Sequence, residues 1–207
     1  MTTWMTRERI DLGAVRLDGD LTLPEHATGL VLFAHGSGSS RHSPRNQAVA
    51  AELNRHGLAT LLVDLLTPDI GLLADRLVGV IDWLRAQPQT AALPIGLFGA
   101  STGGGAALVA AAGRPEAVHA VVSRGGRPDL AGPAVLEVRA PTLLIVGERD
   151  TEVLELNEEA RNTMRIRAEL RIIPGATHLF AEPGAMEAVA DEAAHWFGSH
   201  LSAAMTR

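Results

Sequence analysis

The chain has 207 residues, of which 46% are hydrophobic and 20% charged; its formal net charge is −6 and it contains no cysteine. These values are typical of a single globular domain, and they exclude disulfide bonds, thiolate metal sites and a cysteine nucleophile. The acidic balance argues against a nucleic-acid partner, and no stretch approaches the ~18 apolar residues that a membrane-spanning helix needs. We therefore expect one domain over residues 1–207 and, since the N-terminus lacks a signal-peptide pattern, a cytoplasmic protein.

The beginning of the chain predicts strands at the edge of a sheet. Residues 10–12, 15–17 and 21–23 read as short antiparallel strands, with Asp18-Gly19-Asp20 as a turn. Residues 29–34 then form a continuous apolar run. Such a run predicts a strand that is covered on both faces.

Strands and helices alternate regularly after this point. Ser43 and Pro44 are typical of the cap and first residue of a helix, which Gly57 would end. Further strands are predicted at 60–64, 94–98, 118–122, 142–146 and 169–173, and further helices at 69–84, 129–137, 152–166 and 183–200. This alternation predicts an α/β fold whose mostly parallel sheet has about 7–8 strands, with helices on both faces and a ligand site beyond the carboxyl ends of the strands.

One strand end carries the pattern of a catalytic serine. The strand at 94–98 leads into Gly99-Ala100-Ser101-Thr102-Gly103, and an alanine-rich helix follows. A serine in such a strained strand-to-helix turn projects its hydroxyl outward and requires neighbours with almost no side chain. Gly104 and Gly105 are costly in a helix, so we expect the helix start to pack against sheet backbone or substrate. Ser101 is the candidate nucleophile; neither phosphate-loop motif, G-x-G-x-x-G nor Gly-Lys-Ser/Thr, is present.

A serine nucleophile needs a base within hydrogen-bond reach and an acid that orients the base. His178 follows the last predicted strand and Asp150 follows the preceding one, so both should reach the edge of the sheet where Ser101 lies. Glu148 and Glu152 are alternative acids, and Asp150 could instead cap the helix that follows it.

An oxyanion hole is the third requirement of this chemistry. The backbone N–H of Thr102, at the start of the helix, is one candidate donor. The backbone N–H of Ser37, in the small-residue loop His35-Gly36-Ser37-Gly38, is the other. This loop could also be a flexible turn without a role.

These segments resemble the α/β-hydrolases, and in particular the dienelactone-hydrolase-like group. The loop at 35–38, the turn at 99–103, Gly147-Glu148-Arg149-Asp150 and Gly175-Ala176-Thr177-His178 occur in the family's order. The resemblance implies an α/β-hydrolase fold with a triad of Ser101, Asp150 and His178. The group's named enzymes have a cysteine nucleophile, so the serine here favours general carboxylic-ester chemistry over dienelactone itself. Similar domains also occur joined to phosphoribosyltransferase domains, for which this length leaves no room.

The loops at the strand ends also bear on the substrate. Only residues 123–141 separate two neighbouring strands, so we expect no cap domain and an open site for small or extended substrates. Four cationic residues near strand ends are candidates to bind an acidic group of the substrate: Arg41, His42, Arg124 and Arg127. The alternative is that they are solvated or paired with nearby aspartates.

The expected reaction is hydrolysis of a small-molecule ester through an acyl-enzyme, with no metal, organic cofactor, nucleic acid or membrane partner. An acyltransferase, a thioesterase or a perhydrolase would use the same residues. From other classes, a binding module with an idle triad and a nucleotide-binding protein remain as alternatives. The sequence leaves open the acyl and alcohol parts of the substrate and whether the protein is a monomer or a homodimer.

Overall fold

A computed structural model describes residues 2–204, in which eight strands form one sheet. The strands are β1 (Thr3–Asp11), β2 (Arg16–Pro24), β3 (Leu30–Ala34), β4 (Ala59–Val63), β5 (Ile95–Ala100), β6 (Val118–Arg124), β7 (Thr142–Gly147) and β8 (Ala168–Ile173). Their order across the sheet is β1-β2-β4-β3-β5-β6-β7-β8. The strands β3 to β8 run parallel, whereas β1 and β2 pair antiparallel at one edge.

Helices cover both faces of this sheet. They are α1 (Pro44–Arg55), α2 (Ile70–Ala86), α3 (Thr102–Gly113), α4 (Thr151–Thr163) and α5 (Ala185–Ala204). One apolar cluster lies between the sheet and α2 and α3, and a second lies between the opposite face and α1 and α5. The central strands β3, β4, β5 and β7 are buried along their whole length, because both of their faces are covered.

The expected α/β-hydrolase architecture is confirmed. The connection between β6 and β7 contains a 3₁₀ segment, Pro128–Glu137, that is kinked at Gly132 and Pro133. No cap domain is inserted there, so the carboxyl edge of the sheet stays open. None of the described helices combines the length and apolar character needed to cross a membrane.

The predicted position of the turn in the first hairpin was wrong. The turn lies between β1 and β2, where Gly13 has a φ of +80° and its N–H donates to the Asp11 carboxylate at 2.8 Å. Asp18-Gly19-Asp20 instead lies inside β2. A Cβ on Gly19 would lie 2.9 Å from a terminal methyl of Leu61, so a larger residue there would require the Leu61 side chain to shift.

The ends of the later helices also differ from the sequence expectation. The helix α4 ends at Thr163, three residues before the predicted 166. The helix α5 begins at Ala185 and continues beyond residue 200 to Ala204. Neither difference moves a residue that follows the carboxyl end of a strand.

Candidate active site

Ser101 stands in the sharp turn between β5 and α3. Its φ of 52° and ψ of −123° lie in a region that residues other than glycine rarely adopt. The Ser101 N–H donates to the Arg124 carbonyl oxygen at 3.1 Å, and the Ser101 carbonyl oxygen accepts from the N–H groups of Gly104 at 2.9 Å and Arg127 at 3.1 Å. The surrounding backbone thus holds the serine in a strained conformation, as is common at functional sites.

The glycines around Ser101 are required by close contacts. A Cβ on Gly99 would lie 2.6 Å from the Gly104 Cα, and a Cβ on Gly104 would lie 2.5 Å from the Ser123 hydroxyl oxygen. A Cβ on Gly103 would lie 2.7 Å from the His35 carbonyl oxygen. The start of α3 therefore packs directly on its surroundings, as the run of glycines predicts.

His178 and Asp150 are joined by a hydrogen bond of 2.6 Å between Nδ1 and Oδ2. Asp150 occupies the N-cap position of α4, but its carboxylate makes no capping hydrogen bond. With Nδ1 donating to the carboxylate, Nε2 of His178 is left available as a proton acceptor. The side chains are 39% exposed for His178 and 14% for Asp150, so the imidazole is accessible while the carboxylate is largely covered.

The alternative acids have other positions and partners. Glu148 accepts a hydrogen bond of 2.7 Å from the Gly175 N–H, which ties the loop after β7 to the loop that carries His178. Glu152 is exposed in the first turn of α4. A further acid fixes the same loop, because Glu182 accepts from the Thr177 N–H at 3.1 Å and from its hydroxyl at 2.7 Å. These hydrogen bonds hold the pKa of Glu182 below its usual value.

The loop after β3 lies directly against the serine turn. A Cβ on Gly36 would lie 3.2 Å from the Ser101 Cβ. The Ser37 N–H donates to the Thr102 hydroxyl oxygen at 2.8 Å, and the two hydroxyl oxygens are 3.1 Å apart. As the first residue of α3, Thr102 has no partner within the helix for its own N–H. Both predicted oxyanion donors therefore lie beside Ser101, but the N–H of Ser37 is already engaged.

Ser101 and His178 line the same cleft, which has a volume of about 190 Å³. In the described part of the chain no hydrogen bond joins the two side chains directly; such bonds often tighten only when substrate is bound. The remaining lining residues come from the loop after β3, the start of α1 and the ends of β5, β6 and β8: Gly36, Ser37, Ser39, Ser43, Arg45, Asn46, Ala100, Arg124 and Leu179.

Arg124 is a buried cation in the wall of this cleft. Its relative exposure is 7%, and its guanidinium lies 5.8 Å from the centre of the Phe180 ring. No carboxylate within residues 2–204 pairs with it, and its Nε has no hydrogen-bond partner there. Burial, with a smaller contribution from the charge of Arg45, lowers the pKa of Arg124 to about 10.

The structure does not bring the other predicted cations into this cleft. Arg41 forms ion pairs with Asp64 and Asp20, and its side chain is only 11% exposed. Arg127 pairs with Asp129 at 2.7 Å. The exposed His42 is also outside the cleft lining. For the two arginines, nearby aspartates satisfy the charge and hold the side chain away from Ser101.

Two lining residues at the start of α1, Arg45 and Asn46, were missed by the sequence analysis. The Ser43-Pro44 pattern locates the start of this helix, and the Ser43 hydroxyl indeed accepts from the Asn46 N–H. The Ser43-Pro44 pattern does not indicate that the first turn of α1 faces Ser101. Asn46 Oδ1 is buried without a partner among the described residues. Residues 2–204 contain no group of three or more His, Asp and Glu side chains arranged to hold a metal ion.

Residues 44–201 match the model of the dienelactone hydrolase family. The crystal structure of a dienelactone hydrolase from Anabaena variabilis is 56% identical in sequence, with a TM-score of 0.94 over 96% of this chain and 99% of that one. The structure of Est1E from Butyrivibrio proteoclasticus is 19% identical, with a TM-score of 0.84 over 95% of this chain and 99% of that one. At that identity the likeness shows the fold alone.

Curated relatives from two strains of Mycobacterium tuberculosis carry a provisional phosphoribosyl transferase name. They are 58% identical over 199 residues, which cover 91% of this chain but 45% of each relative. The chain thus spans less than half the length of the curated relatives it matches. By its family match, and by its close structural similarity to the Anabaena protein, the chain belongs to the dienelactone hydrolase family.

Proposed function

We propose that the protein is a serine hydrolase that cleaves carboxylic esters of small or acidic substrates. The observation that carries this proposal is a strained Ser101 in one cleft with the hydrogen-bonded pair of His178 and Asp150. Family membership supports hydrolase chemistry. The choice of serine rests on the chain itself, which has Ser101 in the turn and no cysteine.

In the acylation step, the Ser101 hydroxyl attacks the ester carbonyl carbon and its proton passes to Nε2 of His178. The carbonyl oxygen becomes an oxyanion beside the Thr102 N–H and the loop that carries Ser37. The tetrahedral intermediate collapses as His178 gives the proton to the leaving alkoxide, which departs as the alcohol. Asp150 stays ionised and holds the imidazole through the 2.6 Å hydrogen bond.

In the deacylation step, water attacks the acyl-serine carbonyl and gives a proton to His178. Collapse of the second tetrahedral intermediate returns that proton to Ser101 and releases the acid. Thr102 and the loop after β3 lie beside the carbonyl in both steps, because both steps form the oxyanion at the same place.

Arg124 and Arg45 favour substrates that carry an acidic group. Arg124 is buried in the cleft wall without a carboxylate partner among the described residues, and Arg45 places a second positive charge in the same cleft. A carboxylate of the substrate would supply the missing partner and form charge-assisted hydrogen bonds with the guanidinium.

The same residues would serve an acyltransferase, a thioesterase or a perhydrolase, which differ in the acceptor of the acyl group. The phosphoribosyl transferase name of the Mycobacterium tuberculosis relatives is not carried over to this chain. The match covers 45% of those proteins, and the cleft described here offers a serine beside a His–Asp pair.

The nucleophile is tested by the intact mass after treatment with a fluorophosphonate. Wild type should gain one adduct per chain, whereas Ser101→Ala should gain none and His178→Ala should react far more slowly. Folding of each variant is checked by circular dichroism. A folded wild type that stays unlabelled and hydrolyses no ester or thioester would leave the idle binding module as the better description.

The acidic preference is tested with p-nitrophenyl hemisuccinate against the neutral p-nitrophenyl butyrate. Loss of hydrogen bonds to a charged group costs roughly 1.5–3 kcal/mol, so Arg124→Gln should lower kcat/KM for the hemisuccinate roughly tenfold or more relative to the butyrate. Arg127→Gln is the matched control, since Arg127 pairs with Asp129 outside the cleft. Equal losses for both esters would contradict a role in binding the acidic group.

A further inference from the structure

The hydroxyls of Ser37 and Thr102 form an isolated pair next to the serine turn. Their oxygens are 3.1 Å apart, and within residues 2–204 neither side chain has a hydrogen bond to any other residue. Ser37 lines the cleft that holds Ser101 and His178, whereas Thr102 is not among the lining residues. Ser37 is exposed and Thr102 only partly so, which makes Ser37 the member of the pair that a bound substrate can contact.

The backbone N–H of Ser37, the expected oxyanion donor of this loop, already donates a hydrogen bond within the protein. Its backbone N–H donates to Thr102 Oγ1 at 2.8 Å, a normal distance for a full hydrogen bond. For this N–H to bind an oxyanion directly, that bond would have to break during the reaction. Preorganised donors avoid such reorganisation, which is the physical basis of their catalytic effect.

Of the two directions open to the bond between the hydroxyls, the acceptor role of Thr102 favours donation from Thr102. A hydroxyl that accepts a hydrogen bond becomes a better donor, and the nearest acceptor for the Thr102 proton is Ser37 Oγ at 3.1 Å. With its oxygen accepting from Thr102, the Ser37 hydroxyl has its own proton free to donate into the cleft. The chain of bonds runs from the Ser37 N–H through Thr102 and back to the Ser37 side chain.

We propose that the Ser37 side-chain hydroxyl, and not its backbone N–H, is the donor from this loop to the oxyanion. Thr102 is the positioning residue for that hydroxyl, and its own N–H is the second donor. This assignment rests on the proposed ester hydrolysis at Ser101. It makes Ser37 a catalytic residue through its side chain, so its identity matters beyond the backbone geometry of the loop.

The two assignments predict opposite results for a simple truncation. If the backbone N–H were the donor, Ser37→Ala would leave catalysis almost unchanged. If the hydroxyl is the donor, Ser37→Ala should lower kcat roughly 100-fold with little change in KM, as for loss of one oxyanion donor. Adding Thr102→Val should then restore part of kcat, because the isosteric valine no longer accepts from the residue 37 N–H and releases it to the oxyanion.

The experiment measures kcat and KM for p-nitrophenyl butyrate in wild type, Ser37→Ala, Ser37→Thr, Thr102→Val and the Ser37→Ala/Thr102→Val double variant. Ser37→Thr should keep most of the activity, since it retains a hydroxyl. Ser40→Ala is the matched control, because Ser40 lies in the same loop but outside the lining of this cleft. Fluorophosphonate labelling rates give a second measurement of the same donors and should follow the order of the kcat values.

The outcomes separate the two proposals. A kcat of Ser37→Ala within twofold of Ser40→Ala, in an enzyme that labels and turns over normally, would overturn the role of the Ser37 hydroxyl and leave the triad intact. A kcat of the Ser37→Ala/Thr102→Val double variant below that of Ser37→Ala would also overturn the role of the Ser37 hydroxyl. Absence of both labelling and turnover in folded wild type would overturn the proposed hydrolysis and this inference with it.

Discussion

Arg124 carries its positive charge inside the wall of the cleft at a cost to the folded state. Its pKa is lowered to about 10, so the folded protein holds this proton less tightly than the unfolded chain does. A base with a lowered pKa destabilises the fold at every pH below that value, and the penalty shrinks as the pH rises through about 10. At pH 7 the shift corresponds to a penalty on the order of 3 kcal/mol.

Replacing this residue with an apolar one of similar length should stabilise the protein. We expect Arg124→Met to raise the free energy of unfolding by about 1–3 kcal/mol at pH 7, because it removes a buried charge that no carboxylate of residues 2–204 pairs with. The measurement is urea unfolding of both proteins between pH 7 and pH 11, where the difference should persist to about pH 10 and then decline.

Ligand binding provides the control for this prediction. Succinate, an anion without a scissile bond, should raise the melting temperature of wild type and leave Arg124→Met unchanged. A less stable Arg124→Met would indicate that the guanidinium is stabilised by a group that the described contacts do not contain. Arg124→Met is thus expected to gain stability and to lose selectivity for acidic substrates, a compromise that is common at binding sites.

The sequence predicts some residues of the site better than others, for reasons that are physical. Ser101 is recognisable because its strained turn imposes glycines at fixed neighbouring positions, a constraint that is local in the chain. Arg41 follows the buried strand β3 and Arg124 ends the strand β6, and nothing in the local sequence shows which of the two lacks an acidic partner. Only the folded structure shows that Asp64 and Asp20 neutralise Arg41, while Arg124 has no such partner in the part of the chain that the structure describes.

At the scale of elements, the loop after β3 is tied to the loop after β4. His35 Nε2 accepts from the Leu65 N–H at 2.9 Å, and Arg41 donates from its backbone N–H to Asp64 at 2.7 Å. The Arg41 guanidinium also pairs with Asp64 and with Asp20 of β2. These bonds fix both ends of the segment that carries Ser37, so the loop is held by its flanks.

Removal of the Arg41 side chain should therefore destabilise the protein strongly. We expect Arg41→Met to lower the free energy of unfolding by about 3 kcal/mol, because it leaves the largely buried carboxylate of Asp64 without its cation. The Arg41→Met/Asp64→Asn double variant should recover part of the loss. The measurement is the urea midpoint and slope of each variant.

A surface ion pair serves as the reference. Arg114 and Asp82 form a pair of 2.7 Å on the exterior, so Arg114→Met should move the urea midpoint little. Equal effects of Arg41→Met and Arg114→Met would mean that the Arg41 pairs do not hold the loop.

The elements themselves were predicted well where burial imposes a long apolar run, as in β3, β4, β5 and β7. The first hairpin was not, because Asp18-Gly19-Asp20 has the composition of a turn. Gly19 pairs with Val63 of β4 and packs against the Leu61 side chain, contacts that the local sequence does not contain. Turn-like residues inside a strand cannot be separated from true turns without knowledge of the neighbouring strand.

At the scale of the whole molecule, two apolar layers share one sheet. Val121 belongs to the cluster under α2 and α3, and its neighbour Val122 belongs to the cluster under α1 and α5. Both side chains are fully buried. Successive residues of each central strand point to opposite faces, so the same strands support both layers. If one layer lost its packing, the strands under the other layer would also be exposed to water.

The two layers should therefore unfold together, which Val121→Ala and Val122→Ala can test. Each should cost about 1–3 kcal/mol through the lost methyl groups and the cavity left behind. Trp83 packs on the α2 face and Trp196 on the α5 face. With Trp4, the third tryptophan, also replaced, variants that retain only Trp83 or only Trp196 report each layer separately. In urea, each valine replacement should shift both fluorescence transitions by the same amount. If Val121→Ala shifted the Trp83 transition and left that of Trp196 in place, the layers would be independent, and a single free energy of unfolding would not describe this domain.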